Sequence, residues 1–430
     1  MGDGDALDLI VVGAGPAGLA CAWEAASAGL QVAVLERGDV AGAKNLSGGR
    51  LYLEPLRGLC GPLLEGAPLE RSVVSESIAL AGDTDGASFR LDGPGGGAPT
   101  SATVLRARLD AFLADRVSEK GAMVLPQQRV DALVREGGRV VGAKVGGEDL
   151  RAALVVVADG ALSFLAEEAG LRRGRPLAQY AVGVKELIAL DAAAIEQRFN
   201  VGPGEGASRL YVGAVTAGVP GGGFLYTNAE SVSLGLVFQL PAVRGWTGDA
   251  HLWELLERFK ARPDVAPLLA GGRTIEYGAH LVPEPDLGAL PCPGASGLLL
   301  AGDAAGFVIN TGTTVRGMDL AIASGVLAGR TAVATLQSKL EPAASLAHYR
   351  AALDASFVMR ELRAHRKAHG VLATPHLYSH YPQAIAALAR EFFGVGADGA
   401  SMTVKAASKR LRKDVLGWRG LRDLLRFGKM

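Results

Sequence analysis

What this chain can fold into is constrained first by the stretch from Leu7 to Glu36. The apolar run Leu7 to Val12 meets Gly13-x-Gly15-x-x-Gly18, a helix pattern of small residues follows from Leu19 to Ala28, and a second apolar run, Gln31 to Leu35, ends on Glu36. A buried strand, a glycine turn, a helix and a parallel strand closing on an acid form a βαβ unit that binds a dinucleotide. Each residue type has a physical task. Gly13 permits the tight turn, Gly15 lets the backbone approach a pyrophosphate, and Gly18 lets the helix pack close to the strand. The helix that starts at Pro16 and Ala17 turns the unpaired N–H groups of Ala17 and the residues after it toward the phosphates. Glu36, with Arg37 beside it, stands where ribose hydroxyls need an acceptor. A glycine triplet alone is only a turn; the strand before it, the helix after it and the acid beyond make it a dinucleotide site.

The 430 residues exceed one ordinary core, so two domains or one elaborated domain with inserts is expected. Lys and Arg together number 44, as do Asp and Glu, so the chain as a whole has no attraction for nucleic acid. Only Cys21, Cys60 and Cys292 are present. An odd number at wide spacing argues against a disulfide framework and for the reducing cytoplasm. Three cysteines also fall short of the four thiolates of an ordinary iron–sulfur cluster, so any cluster in the pathway sits on another protein. The run Leu7 to Val12 is short, acidic before it and glycine-rich after it, which makes it a strand and not a signal peptide. No stretch of 18 or more consecutive apolar residues occurs, so membrane contact is expected to be peripheral.

Further along, Arg106 to Lys120 has helical spacing, Val130 to Val145 alternates around Gly137 and Gly138 as a hairpin, and Leu154 to Ala158 is another buried strand ending on Asp159 and Gly160. Gly82 to Pro99 reads as a loop or hairpin rim. From Leu171 to Pro291 the texture is one of short alternating strands with glycine-rich turns, interrupted by a helix over 249–261. Gly297 to Ala301 returns to the buried parallel type, followed by Gly302 and Asp303 and a helix from Gly317 to Gln337. Past Pro342 the chain is helical and polar. The fold class is therefore α/β: a Rossmann-like FAD/NAD(P)-binding domain, an inserted antiparallel sheet domain and a helical C-terminal region. The expected boundaries put the dinucleotide domain at 1–75, 105–170 and 294–340. An excursion occupies 76–104, the antiparallel domain 171–293, and a helical cap with a basic tail 341–430.

Asp303 stands at the end of a buried strand, where a carboxylate can bind a ribityl hydroxyl, and a helix start beside it favours negative charge at a flavin ring edge. A helix cap is the plainer alternative. Asp159 with Gly160 repeats the same strand-then-Asp-Gly texture, a third element that NAD-only dehydrogenases do not need.

These residues carry a resemblance. Gly13-x-Gly15-x-x-Gly18, Arg106 in the stretch Leu105 to Asp110, Asp159 and Gly160 with Ser163, and Gly302 with Asp303 resemble the FAD-binding fold of p-hydroxybenzoate hydroxylase, geranylgeranyl reductase and electron-transfer-flavoprotein dehydrogenases. The stretches Glu36 to Gly49, Gly223 to Asn228, Leu268 to Arg273 and Tyr277 to Glu284 are similar to the FixC family, the flavoprotein subunits related to electron-transfer-flavoprotein:ubiquinone oxidoreductase. The similarity extends to the basic C-terminus. It implies an enzyme that takes electrons from the subunits of an electron-transfer flavoprotein onto FAD and passes them to a quinone. Such an enzyme works in a Fix-type complex, an electron-bifurcating one included, with a small ferredoxin-like iron–sulfur protein. The C-terminal cysteines of the cluster-bearing ubiquinone oxidoreductases are missing here, and Thr311 to Gly317 replaces the proline-containing stretch of the hydroxylases, which argues against hydroxylation. A prenyl-lipid reductase and a non-catalytic flavin-binding assembly subunit remain the alternatives.

Several positions are then expected at the flavin. Lys44, Ser47 and Gly48 lie in a loop that reaches over the ring in the resembling folds, with Lys44 placed to stabilise an anionic reduced flavin. Arg106 resembles the arginine on the pyrophosphate or adenine side, and Gly302 and Gly317 are expected among the cofactor-binding residues. Gly222, Gly223, Phe224 and Tyr226 are expected to line the substrate or quinone pocket. No acid–base pair is required, because FAD itself carries the electron transfer. His365 and His369, and His376 and His380, are spaced four apart, but Arg363, Arg366 and Lys367 beside the first pair repel a metal ion, so they read as a solvated basic face. Between Leu411 and Leu425 apolar residues recur at three- and four-residue steps among basic ones, which predicts one basic amphipathic helix. Such a helix fits an acidic ferredoxin-like partner or the inner face of the cell membrane, or packs on its own domain.

Overall fold

The computed structural model describes residues 7–43, 48–93, 97–174, 176–248, 250–338 and 342–428. Leu7–Val12 is a strand buried at every position but Asp8, and it pairs in parallel with Glu148–Val157 on one side and Val32–Leu35 on the other. Buried on both faces, such strands are continuously apolar rather than alternating. Leu298–Leu300 adds to Glu148–Val157 and Met123–Leu125 to Val32–Leu35, both in parallel. The hairpin Val130–Glu136 and Arg139–Val145 extends the other end of Glu148–Val157.

The helix Pro16–Ser27 lies on this sheet, and the long helix Met318–Gln337 lies against it. A methyl group at Gly325 would stand 2.0 Å from the Ala17 carbonyl oxygen, and one at Gly329 would stand 2.5 Å from that of Cys21. Two glycines one turn apart thus let the helix backbones touch. Met318–Gln337 is long and apolar enough to cross a membrane by length and composition, but most of it is buried in this core.

A nine-stranded second sheet runs in the order Arg273–Pro283, Tyr180–Ala189, Ser231–Gln239, Gly221–Thr227, Glu205–Gly213, Leu69–Ala81, Ser101–Val104 and Gly49–Tyr52, with Gly86–Asp92 beside Leu69–Ala81. The chain therefore leaves the first sheet before residue 76, where the sequence placed the excursion. The reason is legible in Leu69–Ala81, whose buried face carries Arg71 and Ser75 as well as Val73, Ala79 and Ala81. Carbonyls hold the buried guanidinium: Arg71 donates to Asn228 O at 2.7 Å, Glu205 O at 2.9 Å and Ala229 O at 3.0 Å. Nor is the sheet wholly antiparallel. Glu205–Gly213 runs parallel to Leu69–Ala81, since the two strands reach the sheet from distant parts of the chain.

The helical C-terminal region bridges both sheets. Tyr349, fully buried in the helix Pro342–Ala355, donates to Leu300 O at 2.9 Å in the first sheet. The helix His380–Phe393 rests on the second, with Pro382 packed against Gly213. The tail is two helices rather than the single one expected, Val404–Asp414 and Trp418–Phe427, separated at Gly417. Asp423 fastens the second of them: it is buried and accepts from the Tyr381 hydroxyl at 2.6 Å, with His376 Nδ1 at 3.3 Å. Leu421, Leu424 and Leu425 remain exposed, so the apolar stripe is not covered by its own domain.

Candidate functional site

A cavity of about 1350 Å³ opens between the two sheets. Single small-molecule pockets run to roughly 300–1,000 Å³, so there is room for more than one ligand. Its first wall is the glycine loop. Gly13 adopts φ +102°, and a Cβ there would stand 2.5 Å from Ala158 O. A Cβ on Gly18 would stand 2.0 Å from Gly13 O, so Gly18 supports the loop from behind. Gly15 differs: its Cβ position meets nothing nearer than an Arg106 nitrogen at 3.9 Å, so it faces the open cavity. Gly15 is also the N-cap of Pro16–Ser27; no side chain caps this helix and no acid sits in its first turn. The positive end of the helix is therefore turned to the cavity.

Glu36 is fixed by backbone, accepting from Ala14 N at 2.9 Å through Oε2 and from Gly38 N at 2.6 Å through Oε1. Each oxygen keeps a further lone pair for a ligand hydroxyl. Arg106 is held by a two-point ion pair to buried Asp110, at 2.9 and 2.8 Å, which sets its guanidinium beside Gly15. Asp159 and Asp303 line the cavity at two strand ends. Burial pushes the Asp159 carboxyl up, against its hydrogen bond with Ser163, and its Oδ1 is buried with no partner. Burial pushes Asp303 up as well, with Arg106 and Arg172 pulling it down. An orphaned carboxylate oxygen beside an uncapped helix start is the geometry a polyhydroxylated diphosphate ligand satisfies, and FAD fits it.

Of the positions expected from the sequence, Gly13, Gly15, Pro16, Ala17, Glu36, Arg37, Gly48, Arg106, Asp159, Gly160, Asp303 and Gly317 all line the cavity. Gly222, Gly223, Phe224 and Tyr226 line it from the second sheet. Gly18 and Gly302 sit behind the wall; Gly302 donates its N–H to Ser324 Oγ at 2.9 Å and packs on Ala17. Lys44 and Ser47 lie outside the described residues. A short 3₁₀ turn, Gly302–Ala305, follows Leu298–Leu300 in place of an immediate helix, and the long helix begins at Met318.

The second wall holds residues that the sequence did not single out. Lys185, in the middle of Tyr180–Ala189, lines the cavity and donates to Gly48 O at 2.9 Å. A side chain at Gly48 would meet Ser233 Oγ at 1.8 Å, so the loop end is pressed onto the second sheet and Lys185 ties the two walls together. Burial pulls the Lys185 ammonium down to about 7, Glu276 raising it and Arg106 lowering it. His280, opposite Gly183 on the neighbouring strand, is also held below its ordinary value, first by burial and then by Arg106, Lys185 and Arg37. Phe224 and Tyr226 stack with ring centres 5.1 Å apart. The signal for Lys185 was a lysine followed by Glu186 in the middle of an otherwise largely apolar strand, and it went unweighed. The paired histidines are not on one helix: His365 ends Phe357–Ala364, while His369 lies in Ala368–Leu372. Among the described residues no group of His, Cys, Asp and Glu is arranged to hold a metal ion.

Comparison with known proteins adds names to this geometry. Residues 8–176 match the family model of FAD-dependent oxidoreductases, and residues 180–282 match that of the ubiquinone-binding region of electron-transfer-flavoprotein–quinone oxidoreductase. The chain is 42% identical to the probable electron transfer flavoprotein-quinone oxidoreductase YdiS of Escherichia coli K12, covering 99% of this chain and 98% of that protein. It is 41% identical to the FixC protein of Salmonella typhi, over 95% and 94% of the two chains. Among solved structures, a geranylgeranyl bacteriochlorophyll reductase-like protein from Thermoplasma acidophilum superposes with a TM-score of 0.72 at 21% identity, over 98% of this chain and 99% of that one. At that identity the likeness concerns the fold.

Proposed function

Since the chain belongs to the family of FixC proteins and electron-transfer-flavoprotein–quinone oxidoreductases and is an FAD-dependent oxidoreductase, we propose that it accepts electrons from an electron-transfer flavoprotein and passes them to a quinone as the FixC-like subunit of a Fix-type complex. The observation that carries this is one cavity with two unlike walls. One wall offers an uncapped helix start, Glu36 and two buried acids to a dinucleotide; the other, within the region matching the ubiquinone-binding model, offers stacked aromatics and the half-buried Lys185. Bound FAD supplies one- and two-electron transfer. The residues of this chain orient it, exclude water, and set the charge around the ring. Arg106 beside Gly15 would meet the pyrophosphate, and Lys185 brings to the facing wall a positive charge that takes up or gives up its proton close to neutral pH.

The partner surface follows from the tail. Val404, Leu421, Leu424 and Leu425 are exposed among basic residues, which suits a ferredoxin-like iron–sulfur partner or an anionic membrane surface at the inner face of the cell membrane. Truncation after Ala400 is expected to abolish co-purification with the ferredoxin-like partner or sedimentation with anionic vesicles while FAD stays bound. The function itself is tested by mixing reduced electron-transfer flavoprotein with catalytic amounts of this protein and a short-chain ubiquinone under anaerobic conditions. Quinone reduction that depends on all three components is the expected result; its absence with active flavoprotein refutes the proposal.

A further inference from the structure

Resting on the quinone reading above, we propose that Glu284 carries protons from a small pocket behind the cavity to the quinone. Glu284 follows directly on the strand Arg273–Pro283, is 9% exposed, and lines the large cavity. It also lines a second pocket of about 40 Å³, together with Asn310, His365 and His369. One carboxyl is thus part of the partition between two spaces. A pocket of that size holds water, which needs about 10–15 Å³, and His365 Nδ1 is buried there with no hydrogen-bond partner. Behind the partition, His365 and His369 are half-buried and Arg366 is exposed, so the small pocket borders the surface.

The chemistry of the partition suits proton transfer. Asn310 Nδ2 donates to Glu284 Oε1 at 2.8 Å and fixes the carboxyl. Burial pushes Glu284 up from the usual carboxylate range, while the Asn310 hydrogen bond and His369 pull it down. The charged and titratable groups facing it are His369 from Ala368–Leu372, Tyr378 after the turn Pro375–Leu377, His365 and Arg366 across the small pocket, and Asp286 two residues on. Burial, and then Glu284 itself, hold the Tyr378 hydroxyl well above its ordinary value, so Tyr378 stays protonated. Glu284 is the group in this set that can both hold and release a proton inside the cavity wall.

Reduction of a quinone to a hydroquinone adds two electrons and two protons, with an O–H bond forming at each carbonyl oxygen. The electrons come from the donor flavoprotein through FAD. The protons come from water: Glu284 releases its proton on the cavity side and regains one from the His365 and His369 side. A positioned proton donor contributes roughly 10²–10⁴-fold to such steps.

The test uses the full-length, FAD-loaded protein, reduced anaerobically with dithionite and mixed with either of two oxidants. A short-chain ubiquinone needs protons; ferricenium takes electrons alone. Glu284→Gln keeps an oxygen for Asn310 and is expected to slow oxidation by the quinone roughly tenfold or more, with ferricenium oxidation unchanged. The parent rate with quinone should fall as pH rises and Glu284 loses its proton, and E284Q should lack that inflection. His369→Gln is expected to slow the quinone reaction less, with recovery on adding imidazole. Equal slowing with both oxidants, or no slowing with quinone, overturns the relay. Should E284Q lose its FAD, H369Q decides: no slowing, or no imidazole recovery, also overturns it. A parent protein that reacts with ferricenium but not with quinone refutes the proposed function itself, and the relay with it.

Discussion

The glycine-loop wall of the cavity presents backbone N–H groups, a Glu36 pinned by two main-chain N–H groups and buried acids at two strand ends, whereas the facing wall presents Lys185, His280 and Tyr226 from three strands of the second sheet. The first wall is shaped by sterics: methyl groups at Gly13 and Gly18 have no room, and Glu36 is pinned by Ala14 and Gly38. The second is shaped by desolvation, which holds Lys185 and His280 below their ordinary values. A rigid wall suits a cofactor that stays; a titratable wall suits a partner that arrives, takes charge and leaves.

Substitutions that separate the two walls sharpen the contrast. The largest effect is expected at Gly18, where Gly18→Ala drives a methyl into the Gly13 carbonyl and should lower stability by about 3 kcal/mol, measurable by urea unfolding of the FAD-free protein. Gly15→Leu should do the reverse. Its side chain has space in the free protein, so melting without FAD stays near the parent, while FAD affinity falls by at least roughly tenfold, about 1.4 kcal/mol. A G15L protein that retains full FAD after gel filtration would place the pyrophosphate elsewhere.

Asp159→Asn comes next. Because burial raises the folded-state pKa, the charged carboxylate costs stability at neutral pH, and that cost disappears as pH falls and the group takes up its proton. FAD-free D159N should therefore gain about 1 kcal/mol at pH 7, lose that advantage in acid, and bind FAD more weakly. Unchanged FAD affinity in D159N would mean that the orphaned Oδ1 serves no ligand. The smallest effect is expected on the second wall. Lys185 is lowered to about 7, so its buried charge costs stability below that pH, and the cost is relieved as pH rises toward the value of an exposed lysine. FAD-free K185M should melt above the parent at pH 7 by about 0.5 °C, the difference closing toward pH 10. A difference that stays constant with pH would remove Lys185 from the titrating wall.

The same contrast decides what the sequence made legible. Gly13, Gly15, Gly18 and Glu36 are specified by spacing within one βαβ unit, and the first wall was read from that unit together with the strand-end acids Asp159 and Asp303. Lys185 and Glu284 acquire meaning only when Tyr180–Ala189 and Arg273–Pro283 pair and carry them to the cavity. The strand Leu69–Ala81 was less legible, since Arg71 on its buried face is a charge whose receiving carbonyls, on Asn228 and Glu205, lie far along the chain. The tail misled through Gly417, where an apolar period continued across a break in the backbone.

The central claim is that FAD on one wall delivers electrons to a quinone on the other. It is tested most directly by stopped-flow mixing of the dithionite-reduced protein, alone and without oxygen, with increasing short-chain ubiquinone, following the return of the yellow absorbance. The account predicts fast reoxidation whose rate saturates with quinone concentration, as a bound acceptor requires. Reoxidation that is no faster than that of free reduced FAD, or that rises with quinone without limit, would contradict it.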